Sequence, residues 1–453
     1  MNNRKTSVMP QVAAYLSMTA ILFLVNIYDF NKYLTFESLW DRNAVITQGK
    51  SDAVMDGWLI GSILNARDRG LLSSSLFTAR YILKDGEEKG KLGRSLMYQA
   101  ETFEKGGDLN RAGYWHVYKS AIRLPIQMYV VLDSVATYWT GKKVVNVQWF
   151  KILDTILISA VLAGILTWLY YELGTFVASV ASLYFCFATL VNSTLPGYSD
   201  WLPYALLLFG LNYFRRYVFG HSLSWKRAYI LGAVPLLILC TANSYDYVII
   251  AFGMGIIPLA FYAPRLSLLD FRRLATMVFS CCALVSLVVL VIHFLLAVEY
   301  TNSFDAALEW FSRKFVQRTY GEGILLGLVE THKATAGQSA SLWSVITRFT
   351  LTQWGLVGSL HILILSLIFC AITKQLLLVE SDKRVITGLI FSICASYAST
   401  LTYFIIFKSQ AADHNFGFRY WEFSFYPFAI IAASFCLKAL FFRFYRSGNV
   451  SEV

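Results

Sequence analysis

Apolar runs of about 20 residues, the length that crosses a bilayer core of about 30 Å as an α-helix, recur along most of the chain. Residues 274–297 are one example. The composition agrees, because 57% of the residues are hydrophobic and 15% are charged, against about 45–50% and about 25% in soluble domains. These values exclude a soluble enzyme, a disordered tail and a disulfide scaffold. The predicted fold class is therefore all-α, a polytopic transmembrane helical bundle.

The hydrophobic pattern predicts about ten transmembrane spans. They cover residues 10–28, 148–169, 175–193, 201–214, 228–242, 247–263, 274–297, 350–373, 385–407 and 421–441. The first span follows Arg4 and Lys5 and is not followed by a small-x-small cleavage site. We therefore expect it to be an uncleaved anchor instead of a signal peptide.

Lys and Arg residues determine the expected orientation, because short cytoplasmic loops of membrane proteins carry an excess of them. With the amino terminus inside, the loops expected in the cytoplasm contain Arg215, Arg216, Lys226, Arg227, Arg265, Arg272, Arg273, Lys374, Lys383, Arg384, Arg443 and Arg446. The outer loops 194–200 and 243–246 contain none, and the turn near Glu172 is the exception to the rule. The net charge of +11 is thus mainly a topology signal. No nucleic-acid partner is expected, and both termini should face the cytoplasm.

This topology divides the chain into five regions. They are 1–28, a cytoplasmic tail and the first span; 29–147, a periplasmic loop region with amphipathic helices; 148–297, a transmembrane bundle; 298–349, a periplasmic loop with a basic amphipathic helix; and 350–453, the last spans and a cytoplasmic tail.

Within the outer loops the sequence predicts three amphipathic helices and one polar excursion. Helical spacing of apolar residues predicts helices over 52–70 and 304–320. Residues 84–113 are rich in Lys, Glu and Gly and are expected to be solvated. Residues 121–139 favour an interfacial or re-entrant helix, since a span there would invert every later loop against the distribution of Lys and Arg.

Polar and ionisable residues gather at the expected outer ends of the spans and on the outer loops. They are Asp56, Asp200, Tyr245, Asp246, Arg318, His414 and Arg419. Charges at membrane depth are costly and commonly functional. Arginines suit a lipid phosphate, and a neighbouring carboxylate suits a general base for an incoming hydroxyl. Simpler structural explanations remain open: a first-turn acid for Asp56, a turn cap for Asp246, and interface anchors for the basic side chains.

Several other chemistries lack their motifs. The chain has no phosphate-binding Gly-x-x-x-x-Gly-Lys-Ser/Thr loop and no Cys or His cluster with zinc spacing, so no cofactor and no metal are expected. All seven cysteines fall within predicted spans, where we interpret them as small packing residues.

Three short segments and the overall layout resemble a known family. The segments are Asn243-Ser244-Tyr245-Asp246-Tyr247, Gln317-Arg318-Thr319-Tyr320-Gly321 and the loop from His414 to Trp421. A single amino-terminal span precedes a long outer loop, which carries Asp56 at the start of an amphipathic helix that ends near Gly70. This arrangement resembles the GT-C superfamily of membrane glycosyltransferases, in particular uncharacterised bacterial members and the glucosyltransferases that convert O-antigen serotype.

The resemblance implies an enzyme of the bacterial inner membrane whose active site faces the periplasm. Such an enzyme transfers a sugar from a polyprenyl-phosphate donor to a glycan or lipid acceptor. It places the catalytic acid at Asp56, although Gly57 stands where the family has a second acid, and Asp29, Glu37 and Asp41 are closer to the first span. Asp246 is the other candidate base. Arg318, His414 and Arg419, with Tyr245 and Asp200 nearby, are the expected substrate-binding residues.

Two other functions fit the same residues. A transporter or flippase of a lipid-linked or anionic solute would use the carboxylates for proton coupling and the arginines for its substrate. A non-catalytic subunit of an envelope-glycan assembly would use the long outer loop to contact its partners.

Overall fold

The computed structural model describes the chain from 147 to 192, 201 to 220, 225 to 243, 245 to 301, 303 to 309, 342 to 351, 358 to 407 and 421 to 448. It also describes the two short strands 78–81 and 114–117 and single helical residues within 12–21, within 135–139 and at 312. Apart from the two strands, these regions are predominantly α-helical, as the sequence predicts.

The helices follow one another with short connections. They are α1 Val147–Leu173, α2 Thr175–Asn192, α3 Trp201–Val218, α4 Trp225–Asn243, α5 Tyr245–Tyr262, α6 Leu268–Thr301, α7 Leu342–Thr350, α8 Ser359–Leu376, α9 Glu380–Ile406 and α10 Tyr426–Gly448. A 3-10 turn, Ala263–Arg265, follows α5, and a π-helical turn, Trp421–Phe425, leads directly into α10.

Within the described residues, six helices are long and apolar enough to cross a bilayer. Their apolar windows are Ile156–Leu173, Val248–Arg265, Leu268–Ile292, Ser359–Leu376, Glu380–Ile406 and Tyr426–Arg443. By length and composition the chain is thus a multi-pass membrane protein. The remaining described spans of the sequence prediction, 175–193, 201–214 and 228–242, also correspond to helices α2, α3 and α4. The span 10–28 lies largely outside the described residues.

The predicted span 350–373 begins at the wrong residue. Helix α7 ends at Thr350, and a separate helix, α8, begins at Ser359. Gly358 lies so close to the backbone of Thr350 that a side chain at 358 would collide with the Thr350 carbonyl. The Gly358 amide donates to His361 Nδ1 at 3.2 Å, and the Gly358 carbonyl accepts from the His361 amide. These bonds satisfy the free groups of the first turn and fix the start of α8.

The two strands belong to the long loop region 29–147, for which the sequence predicted only helices and a polar excursion. β1 Thr78–Tyr81 and β2 Tyr114–Val117 pair in antiparallel register, with Thr78 opposite Val117 and Tyr81 opposite Tyr114. They flank the predicted solvated segment 84–113, so the pairing holds both ends of that segment together. The predicted helix 52–70 lies outside the described residues.

The predicted amphipathic helix 304–320 is described only at its start. Residues 304–309 are helical, and the Ser303 hydroxyl accepts from the Ala306 amide at 3.3 Å, which is an N-cap contact. Ala307 is buried, whereas Leu308, which the sequence assigns to the apolar face, is 49% exposed.

Helix α5 is the most enclosed of the six membrane-length helices, and its main partner is α9. The Ser399 hydroxyl of α9 donates to the Ile249 carbonyl of α5 at 3.1 Å, and a side chain on Gly253 would collide with Ser399. At the other end of the contact, Gly388 lies against the backbone of Phe261. The two helices therefore run antiparallel, and small residues let their backbones approach closely.

Replacement of Gly388 by Ala should destabilise the protein. The new methyl group would meet the Phe261 carbonyl, a backbone atom that cannot rotate away, and such overpacking costs about 1–3 kcal/mol. Thermal unfolding in lipid nanodiscs measures this loss. Gly255→Ala is the matched control, because its methyl would meet Cys282 Sγ only at 3.8 Å, so its apparent Tm should stay the same or rise. Equal Tm losses in both variants would contradict the close α5–α9 contact.

Candidate functional site

Contacts between helix termini define two ends of the bundle. Glu172 in α1, Arg215 in α3 and Arg265 just after α5 meet at one end, which we call the Glu172 end. Because α3 and α5 both finish there, their first residues lie at the opposite end, together with the last turns of α4 and α9 and the π-helical turn that starts at Trp421. We call this the Trp421 end.

The Glu172 end is closed by a buried ion cluster. Arg215 Nε donates to Glu172 Oε1 at 2.6 Å, and Arg265 Nη1 donates to Oε2 at 3.0 Å. The Glu172 side chain is only 6% exposed. The Arg265 guanidinium also lies over the rings of Phe261 and Tyr262, 5.3 Å from each centroid. Both carboxylate oxygens are thus paired, as a buried charge requires.

The turn beside this cluster explains why Glu172 departs from the distribution of positive charge in the sequence. Gly174 has a φ of +95°, and its amide donates to the carbonyls of Leu169 and Tyr170 at 3.1 Å each, which is a glycine C-cap. Lys438 Nζ of α10 donates to the Leu173 carbonyl at 2.5 Å. Basic side chains from distant loops therefore surround this turn, although its own sequence carries an acid.

A second polar contact at the same end orders the start of α6. Ser267 Oγ and Tyr217 Oη both donate to Asp270, at 2.6 and 2.9 Å. Burial and the hydrogen bond to Asp270 raise the pKa of the Tyr217 hydroxyl, so it stays protonated and donates at physiological pH. The described side chains of the Glu172 end thus satisfy one another, which indicates a structural role.

The Trp421 end carries the residues that the sequence proposes as a site. Asp246 and Tyr245 lie in the first turn of α5, and their side chains are outside the described residues. With Ile249 next to Ser399 and Phe261 next to Gly388, the antiparallel register places Asp246 level with Thr402, one turn before the end of α9. The loop 408–420, with His414 and Arg419, joins that end of α9 to Trp421.

The other proposed residues have different standings. Asp200 directly precedes Trp201, the first residue of α3, and therefore belongs to the Trp421 end. His414 and Arg419 lie outside the described residues themselves, although both ends of their loop are described. Asp56 and Arg318 are outside the described residues and far from described helix ends. The structure thus brings together the helix ends next to five of the seven proposed residues.

Trp421 is the centre of a buried cluster that the sequence analysis did not single out. Its side chain is fully enclosed, with ring centroids 4.7 Å from Tyr397, 5.4 Å from Phe404 and 5.7 Å from Phe425. The hydroxyls of Thr400 and Ser424 hydrogen-bond to each other, and Tyr397 shares a hydrogen bond with Ser359. Isolated π-helical turns of this kind are frequent at functional sites.

Two indole donors at this end have no acceptor. Neither Trp421 Nε1 nor Trp201 Nε1 has a hydrogen-bond partner, although both atoms are buried. By contrast, Trp168 Nε1 in α1 donates to Tyr262 Oη at 3.1 Å. A buried donor without an acceptor costs about 1–3 kcal/mol. No sequence signal distinguishes these tryptophans, because tryptophan at a span end is also typical of the membrane interface.

The described part of the chain offers no obvious metal ligands. Among those residues, no group of three or more His, Cys, Asp or Glu side chains lies close enough together to hold a metal ion. The described cysteines are all free thiols, and the closest pair, Cys370 and Cys436, packs between α8 and α10 with sulfurs 3.7 Å apart.

Comparison with known proteins yields no relative: no protein-family model, no curated protein and no solved structure matches this chain.

Replacing Glu172 by Gln should strongly destabilise the bundle. The change removes the charge that two arginines share and leaves the largely buried Arg265 unpaired, and breaking a buried ion pair costs about 3–5 kcal/mol. The loss is measured as a lower apparent Tm in nanodiscs.

Glu380→Gln provides the matched control. Glu380 is 69% exposed and lies 3.9 Å from Lys383, and an exposed pair of this kind contributes about 0–1 kcal/mol. A Tm for Glu172→Gln equal to that of Glu380→Gln would contradict the structural role of the ion cluster.

Proposed function

We propose that this chain is a glycosyltransferase of the bacterial inner membrane that takes its sugar from a polyprenyl-phosphate donor. It has about ten spans, two cytoplasmic termini and an active site at the Trp421 end, which faces the periplasm. The acceptor is a glycan or lipid of the cell envelope. The proposal rests on the resemblance of the sequence to the GT-C superfamily and on the placement of the proposed residues.

One observation supports the site most directly. The register of α5 against α9 puts the first turn of α5, with Asp246, level with the last turn of α9. The loop that follows α9 carries His414 and Arg419 and returns to the bundle at Trp421. An acid from one sequence motif and basic groups from another, more than 160 residues apart, therefore belong to the same end of the same helix pair.

The chemistry follows from these groups. Arg419, with His414 and Arg318, binds the donor phosphate through charge-assisted hydrogen bonds. Asp246 or Asp56 accepts the proton of the acceptor hydroxyl as general base. The acceptor oxygen forms a bond to the anomeric carbon as the bond from that carbon to the phosphate oxygen breaks, with inversion. Polyprenyl phosphate leaves and keeps the bonding electrons.

The local environment of Asp246 suits a carboxylate that must remain negative before it takes a proton. The first turn of a helix exposes free amides and the positive end of the helix dipole, which favours an anion. Tyr245 and Asp200 are neighbours of the same end and complete the substrate-binding set.

The orientation is supported by the exposed basic residues at the Glu172 end. Arg216, Arg227, Arg272 and Arg273 are exposed there, and a concentration of positive charge is typical of the cytoplasmic side. The Trp421 end then faces the periplasm, where a lipid-linked sugar enters from the outer leaflet.

Asp246→Asn should reduce sugar transfer by about 100-fold or more, since general bases commonly contribute about 10²–10⁴-fold. Membranes that contain the chain are assayed for incorporation of labelled sugar from a polyprenyl-phosphate donor into acceptor. Asp270→Asn is the control, because Asp270 is also a first-turn acid but lies at the Glu172 end. Its transfer rate should be unchanged.

Transfer that survives in both Asp246→Asn and Asp56→Asn would contradict the proposed site. Solute uptake by the native chain without bond formation would instead favour a transporter.

Cysteine labelling tests the orientation. A cysteine at Ser409, in the loop after α9, should react with a membrane-impermeant maleimide in cells whose outer membrane is permeabilised. A cysteine at the exposed Phe219, at the Glu172 end, should react only after the inner membrane is opened. The reverse pattern would contradict the orientation.

A further inference from the structure

The Trp421 indole is a donor that the described protein does not use. Its ring is fully enclosed, yet Nε1 has no acceptor among the described residues. Burial without a partner costs about 1–3 kcal/mol, and such groups in native proteins commonly have a functional explanation or an additional bound molecule. The partnered Trp168 shows that the same chain can satisfy a buried indole where the role is structural.

The surroundings of Trp421 limit what its partner can be. The nearest rings are those of Tyr397, Phe404 and Phe425, and the nearby hydroxyls of Thr400 and Ser424 already bond to each other. None of these side chains is charged. Aromatic faces beside neutral donors and acceptors suit a molecule that has both C–H faces and oxygen atoms. A sugar has both, whereas a phosphate has a charge that these residues do not balance.

The position of Trp421 connects this cluster to the proposed reaction. Trp421 opens the π-helical turn directly after the loop 408–420 and is two residues beyond Arg419. A phosphate held by Arg419 and a sugar attached to that phosphate would therefore meet neighbouring parts of the chain in order. The cluster also borders α5 through its contacts with α9, and α5 carries Asp246.

We propose that Trp421 Nε1 donates a hydrogen bond to a sugar oxygen of the lipid-linked substrate, and that Tyr397 and Trp421 with the Thr400–Ser424 pair form the sugar subsite. This inference rests on the proposed function for the identity of the substrate. The subsite binds the neutral part of the donor, and the loop 408–420 binds its phosphate. Trp421 is a binding residue and takes no proton.

The test removes the N–H group without changing the shape of the side chain. The non-natural residue 3-benzothienylalanine, which replaces the indole N–H by sulfur, is introduced at Trp421 or, as the matched control, at Trp168. Apparent Tm values are measured in nanodiscs without ligand. The change at Trp168 breaks a hydrogen bond to Tyr262 and should lower the Tm. The change at Trp421 should leave the Tm the same or raise it.

The second measurement adds the probes. These are polyprenyl phosphate without a sugar and the same lipid carrying glucose, galactose or N-acetylglucosamine. At least one sugar-bearing lipid should raise the Tm of the native chain more than the sugar-free lipid does. That additional shift should disappear in the Trp421 variant and persist in the Trp168 variant.

Three results would overturn the inference. One is a ligand-free Tm loss at Trp421 as large as that at Trp168, which would show that Nε1 has a resident partner such as a bound water. Another is a sugar-dependent shift that persists in the Trp421 variant, and the third is the absence of any such shift in the native chain.

Failure of the inference and failure of the proposed function look different. If the sugar-dependent shift depends on Trp421 but no transfer occurs, the subsite stands and the transferase proposal fails. If transfer proceeds with an unchanged KM in the Trp421 variant, the transferase proposal stands and the subsite fails.

Discussion

Close packing of α5 against α9 is the contact from which the rest of the described bundle can be understood. Gly253 and Gly388 remove side chains at two points about two and a half turns apart on α5 and α9, by the rise of an α-helix, so that Ser399 reaches the α5 backbone and α9 reaches Phe261. Helices in a bilayer gain little from apolar burial against one another, and close backbone approach replaces that gain with van der Waals contact. This packing fixes the relative height of the helix ends, and with it the level at which Asp246 lies.

The two ends of the bundle differ in how completely their polar groups are paired. At the Glu172 end, one buried carboxylate takes two arginines, and a lysine caps the neighbouring carbonyl. At the Trp421 end, two indole donors have no acceptor and a π-helical turn interrupts the α-helical pattern. Stability is served by the first arrangement. The second leaves hydrogen-bonding capacity for a ligand at a stability cost, as binding sites commonly do.

The sequence predicted the parts of the fold that depend on composition and failed where tertiary contact decides. Runs of apolar residues locate α1 to α6 and α8 to α10 because lipid requires every backbone group of a span to be bonded within its own helix. The start of α8 at Ser359 could not be predicted, since it depends on the contact of Gly358 with Thr350. The pairing of Thr78–Tyr81 with Tyr114–Val117 depends on residues more than 30 positions apart.

For the site, the sequence identified the ionisable residues but not their neutral neighbours. Asp246, His414 and Arg419 stand out because charge near a span is rare. Trp421 and Thr400 resemble ordinary interface and helix residues until their partners are known, and Glu172 looks isolated until Arg215 and Arg265 are brought to it by folding.

The most direct test of a substrate site at the Trp421 end is photo-crosslinking. A polyprenyl-phosphate sugar with a diazirine on the first isoprene unit is bound to the chain in nanodiscs, irradiated, and mapped by mass spectrometry of the resulting peptides. We predict saturable crosslinks in peptides that contain residues 243–250 and 408–425, which excess unlabelled donor abolishes. Crosslinks concentrated in residues 215–230 and 263–275, at the Glu172 end, or crosslinks that excess donor does not reduce, would contradict the account.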